Sequence, residues 1–151
     1  MQRSKNTASI DSFSGEAIRR SNLIAETGSS TVLVVEDDES MREAIATLLD
    51  LSGYRTLLYA SAEAMLAENA IDRPLCVVSD LNLPAMSGLD LLIELRRRRW
   101  PTPVIIITAF DSPSTRREAM QRGAAAYMAK PFPSSALLTA IHQISPAGGP
   151  P

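Results

Sequence analysis

From Thr31 onward the chain alternates short apolar runs with longer amphipathic ones. Val32 to Val35 is a β-branched run that breaks off into acids, as a buried parallel strand does. Tyr54 to Tyr59, Leu75 to Ser79, Val104 to Ile107 and Ala125 to Met128 repeat the motif, and Val104 to Ile107 is the most apolar of them. Between them lie helical patterns. Ser40 to Ser52 carries Met41, Ala44, Ile45, Leu48 and Leu49 on one stripe and is closed by Gly53. Ser61 to Asn69 is Ala-rich with Ser61 placed as an N-cap. Gly88 to Arg99 predicts a helix with Leu89, Leu92, Ile93 and Leu95 inside, ended by Pro101 and Pro103. Ser112 to Arg122 has few large apolar residues and stops at Gly123, and Pro133 to Ile144 makes the last helix.

Strands alternating with helices, the strands apolar throughout, predict an α/β fold: a doubly wound parallel sheet with helices on both faces. Right-handed crossovers then leave few topologies. The domain spans residues 31–144. Residues 1–30 are rich in Ser and Thr and read as a flexible N-terminal extension, in which Ser14 to Glu26 could form only a weak helix. Residues 145–151, mostly Pro and Gly, read as a disordered tail.

Composition narrows the function classes. The 151 residues are 45% hydrophobic and carry a net charge of −2, a balance that points to neither nucleic acid nor an anionic membrane. The four arginines Arg96 to Arg99 sit at a helix C-terminus, where positive charge complements the dipole. A single cysteine, Cys76, cannot form an internal disulfide, which suits a reducing, cytoplasmic setting. No apolar stretch approaches the roughly 20 residues of a bilayer span, and Arg3 and Lys5 precede no apolar signal core.

In doubly wound sheets ligands bind outside the carboxyl ends of the strands. Those ends carry the chain's chemistry: Glu36-Asp37-Asp38 after the first strand, Asp80 after the third, Thr108 after the fourth, Lys130-Pro131 after the fifth. Crowded carboxylates raise one another's pKa unless a cation is supplied, and Mg²⁺ is the hard, oxygen-seeking ion for such a set. An Asp carboxylate is a competent nucleophile toward phosphorus. A Thr hydroxyl and a Lys ammonium suit phosphoryl oxygens.

Val34-Val35-Glu36-Asp37-Asp38, Ser79-Asp80-Leu81-Asn82-Leu83-Pro84-Ala85-Met86-Ser87-Gly88, Ile106-Ile107-Thr108-Ala109 and Ala126-Tyr127-Met128-Ala129-Lys130-Pro131-Phe132 together resemble the receiver domain of two-component response regulators. The resemblance covers about Thr31 to Ile144. It implies a flavodoxin-like fold with strand order 2-1-3-4-5 and a phosphoacceptor at Asp80. It further implies that Asp37 is a direct Mg²⁺ ligand, that Glu36 acts through water, and that Asn82 lends its backbone carbonyl to the metal. Thr108 is then the switch hydroxyl, Lys130 the phosphate-binding lysine, Tyr127 the aromatic switch, and Lys130–Pro131 a cis peptide. Three acids in a row leave a choice of register; the helix stripe beginning at Met41 selects Glu36 and Asp37 as the pair and leaves Asp38 as helix-starting charge. Leu83 stands where the family often has Met.

The function implied is a stand-alone phosphoacceptor in a two-component phosphorelay, catalysing only its own phosphorylation and dephosphorylation. Its expected partners are a sensor histidine kinase or histidine phosphotransfer protein, an unidentified downstream protein, and, on phosphorylation, a second copy of itself. After Lys130 the sequence suffices for one helix and a tail and not for a DNA-binding output domain, so the expectation is a stand-alone receiver acting through protein contacts or a fragment of a longer protein. An aspartyl phosphatase of the haloacid dehalogenase type uses similar groups, but its nucleophile follows the first strand and its acid pair comes last. The remaining alternative, a receiver-fold binding platform that takes no phosphate, normally lacks an acid, the Thr or the Lys; here all are present.

Overall fold

The computed structural model describes residues 30–68 and 73–145; the expected extension up to residue 29, the tail from residue 146 and the end of the second helix at Asn69 lie outside them. The elements are β1 (Thr31–Val35), α1 (Glu39–Leu51), β2 (Arg55–Tyr59), α2 (Ala62–Glu68), β3 (Cys76–Asp80), α3 (Gly88–Arg97), β4 (Val104–Thr108), α4 (Pro113–Gln121), β5 (Ala126–Ala129) and α5 (Ser134–Ile144). All strand pairs are parallel and the order is β2-β1-β3-β4-β5, the flavodoxin-like order.

Strand alternation sorts the apolar residues into two cores. Leu33, Val35, Val77, Val104 and Ile106 meet Met65 of α2, Leu91, Leu92 and Leu95 of α3 and Ala119 of α4 on one face. Val32, Val34, Cys76, Val78, Ile105 and Ile107 meet Ile45 and Leu49 of α1 and Leu137 and Ile141 of α5 on the other. Every residue of β1, β3 and β4 is buried, as central strands covered on both sides require.

The helix ends follow local chemistry. Asp38 is the N-cap of α1, its carboxylate accepting from Met41 N–H at 2.9 Å. Ser87 and Asp90 form a capping box at the start of α3. Gly53 and Gly123 end their helices at φ 93 and 101.

Two faces depart from expectation. In α1, Ala44 points to solvent and Ala46 is buried. In α3, Ile93 is exposed, Leu89 only half-buried, and Leu91 takes the inward place. This helix also stops at Arg97, two residues before the expected end, because Arg99 turns left-handed at φ 62. Arg96 fixes that turn by donating to the carbonyls of Trp100 at 2.8 Å and Thr102 at 3.0 Å.

Candidate functional site

Sheet register assembles the site. Val35 pairs with Ser79, so Glu36 and Asp80 emerge side by side from β1 and β3. Asp80 pairs with Ile107 and Thr108 with Ala129, which places Thr108 one step beyond Asp80 and Lys130 just past the end of β5. Four chain-distant groups thus meet on one rim.

Glu36 is 1% exposed, Asp80 is 5% exposed, and Asp37 lies open to solvent. Carboxylate oxygens of all three lie within 4.8 Å of one another. Lys130 Nζ donates to Glu36 Oε1 at 2.8 Å and stands 3.4 Å from Asp80 Oδ1. Asp38 N–H donates to Glu36 Oε2 at 3.1 Å, and the Arg42 guanidinium donates to the Glu36 carbonyl at 2.8 Å. Burial raises the Glu36 pKa, with Lys130 and the Asp38 amide pulling against it. Burial also works against the charged Lys130, yet Glu36 and Asp80 outweigh it and hold this ammonium above the ordinary lysine range.

Asp80 Oδ1 is buried and accepts no hydrogen bond from any described residue. A buried carboxylate oxygen without a hydrogen bond, beside two further carboxylates and with the Lys130 ammonium 3.4 Å away, belongs to a hard, all-oxygen donor set. That set fits a small divalent ion such as Mg²⁺, with Glu36, Asp37 and Asp80 positioned to coordinate it.

Thr108 is fully buried. Its hydroxyl donates to the side-chain oxygen of Asn82 at 2.8 Å and accepts from Phe110 N–H at 3.0 Å. Tyr127 is buried at 7% exposure, with the Arg116 guanidinium 4.6 Å above its ring. The Lys130–Pro131 peptide is cis.

Two supports escaped sequence reasoning. Gly88 opens α3 so close under β3 that a Cβ there would collide with the Asp80 carbonyl oxygen. A glycine directly after an N-cap serine was the available signal, since nothing in helix formation asks for it there. Arg42 one turn into α1 carries no such mark; its reach to the Glu36 carbonyl depends on the helix docking angle.

A family model described as the response regulator receiver domain matches residues 32–142. The chain belongs to this family. Among curated relatives, the response regulator protein FleR of Pseudomonas aeruginosa is 42% identical over 110 residues, covering 73% of this chain and 23% of FleR. The transcriptional regulatory protein FixJ of Azorhizobium caulinodans is 40% identical over 111 residues, covering 73% of this chain and 52% of FixJ. This receiver domain therefore spans about half, or less, of the length of these relatives. Among solved structures, chemotaxis protein CheY4 of Vibrio cholerae superposes with TM-score 0.72 at 28% identity, covering 78% of this chain and 100% of CheY4. Among the described residues no helix is long and apolar enough to cross a membrane.

Proposed function

We propose that this receiver accepts a phosphoryl group on Asp80 from a phosphohistidine donor, either a sensor histidine kinase or a histidine phosphotransfer protein, in the cytoplasm. A carboxylate oxygen of Asp80 forms the new O–P bond as the donor's N–P bond breaks. The bonding pair stays on the imidazole nitrogen, which then takes a proton. Glu36, Asp37 and Asp80, with the Asn82 backbone carbonyl, would hold Mg²⁺, which when bound offsets the charge of the phosphoryl oxygens. Lys130 offers its ammonium to one of those oxygens, exchanging part of its contact with Glu36 for the incoming anion.

The observation that carries this reading is the convergence of three carboxylates and one ammonium, with a nucleophile candidate whose buried oxygen has no hydrogen bond. The Thr108 hydroxyl is spoken for by Asn82 in this state. Phosphorylation gives it a stronger, dianionic acceptor, so it leaves Asn82 and frees the space toward which Tyr127 can move. The face of α4 and β5 then changes shape and engages a downstream protein or a second copy of the chain. No direct contact with nucleic acid or membrane is part of this reading. The acceptor can be located chemically: borohydride reduces an aspartyl phosphate to homoserine, and peptide mapping after phosphorylation should find homoserine at position 80. Homoserine elsewhere removes Asp80 from the role.

A further inference from the structure

Asp80 runs directly into the loop of residues 81–87, which carries Asn82 and leads into α3. Both ends of this loop are tied by backbone. Leu81 N–H donates to the Ile107 carbonyl at 2.7 Å, and Gly88 N–H donates to the Leu81 carbonyl at 2.9 Å. The capping box of Ser87 and Asp90 fixes the exit. The tip is held differently. Pro84 has no N–H to offer, and Ala85 sits at φ 62, a left-handed conformation that an L side chain adopts at a cost. Such a conformation persists only where the surroundings impose it. Leu83 and Met86 on either side pack against the core, and a polar contact comes from another crossover: Met86 N–H donates to Glu63 Oε2 at 3.1 Å, across 23 residues of sequence, from the first turn of α2.

We propose that Glu63 is a positioning residue of the phosphoacceptor site, holding the strained tip at Ala85 and Met86 so that Asn82 stays in place beside Asp80 and Thr108. The proposal rests on the phosphoacceptor reading above. Its physical route is short: carboxylate of Glu63, amide of Met86, loop backbone, then Asn82, whose side chain already holds Thr108. An exposed glutamate in a first helical turn also has an ordinary role, complementing the helix dipole. That role requires only its charge. The positioning role requires its acceptor oxygen.

The two roles separate in Glu63→Gln, which keeps an acceptor oxygen and loses the charge, and Glu63→Ala, which loses both. Two readouts are taken on the full chain: hydrogen–deuterium exchange of the Met86 amide without metal, and the Mg²⁺ concentration for half-maximal phosphoryl uptake from acetyl phosphate. In Glu63→Ala, Met86 exchange should accelerate and the Mg²⁺ requirement rise on the order of fivefold, the size that one lost hydrogen bond carries. Glu63→Gln should recover most of both. Adding Ala85→Asn to Glu63→Ala should recover part, because Asn enters the left-handed region more readily. Equal behaviour of Gln and Ala, or a thermal midpoint lowered in Glu63→Ala with both readouts unchanged, overturns the proposal. Wild-type chain that takes up no phosphoryl group overturns the reading of the site instead, and the Met86 exchange still judges the clasp.

Discussion

At the scale of single residues, the decisive pair is Glu36 and Lys130. Glu36 is 1% exposed, and against the burial that raises its pKa stand the Lys130 ammonium 2.8 Å away and the Asp38 amide. Removing that ammonium leaves a buried anion beside two others. Lys130→Ala should therefore lower stability by about 2 kcal/mol, below the full cost of a deeply buried pair because Lys130 itself is partly solvated. Urea unfolding measures the loss, and Mg²⁺ should restore part of it by taking the place of the missing charge. Unchanged stability would mean that Glu36 is satisfied without Lys130. Cys76 gives a prediction far from the site. Burial pushes its thiol pKa up from 9.0 to about 12. The unfolded chain then releases this proton at a lower pH than the folded one. The contribution is fully present below pH 9.0 and is lost as pH rises from there toward about 12. Tyr54 and Tyr59, both raised chiefly by burial, push in the same direction. Comparing Cys76→Val with wild type in urea at neutral pH and within that window isolates the thiol: the variant should lose less stability on the alkaline side.

At the scale of elements, α3 and α4 sit on the same face of the sheet with very different anchorage. α3 buries Leu91, Leu92 and Leu95, whereas Ala119 is the buried residue of α4. Amides of α4 should exchange with solvent faster than those of α3, and equal protection would remove the basis for treating α4 as the mobile element. The same helices show what the sequence made legible. Strands and the order of their polar endings were readable because a β-branched run that stops at an acid fits a buried parallel strand and little else. Helix faces were less so. Leu91, Leu92 and Ile93 are consecutive, and at about 100° per residue the pattern alone does not say which of them centres the buried face. Packing of Gly88 against the Asp80 carbonyl turns α3 so that Leu91 faces in and Ile93 out. Ala44 and Ala46 of α1 are equally small, and the docking of Ile45 and Leu49 chooses Ala46. The carboxylates, the hydroxyl and the lysine of the site were legible from strand ends. The Asn82 to Thr108 hydrogen bond and the Arg42 contact were not, since both depend on side-chain directions across 26 residues in one case and a helix tilt in the other.

At the scale of the whole molecule, one sheet separates two apolar cores and presents its chemistry at one edge. Leu92→Ala and Leu137→Ala open cavities on opposite faces, and each should cost about 2–5 kcal/mol. The double variant, if it remains folded, should equal the sum within about 0.5 kcal/mol, as urea unfolding can test. Marked non-additivity would show that the two cores communicate through the sheet. The chemistry belongs to the rim: a phosphoryl group on Asp80, accepted with the help of a divalent ion. The most direct test is intact mass after incubation with acetyl phosphate, on wild type with and without Mg²⁺ and on Asp80→Asn with Mg²⁺. A single added phosphoryl group that appears in the wild type with Mg²⁺, and is absent from the other two samples, is the predicted result. An adduct that survives Asp80→Asn, or that forms equally well without Mg²⁺, contradicts it.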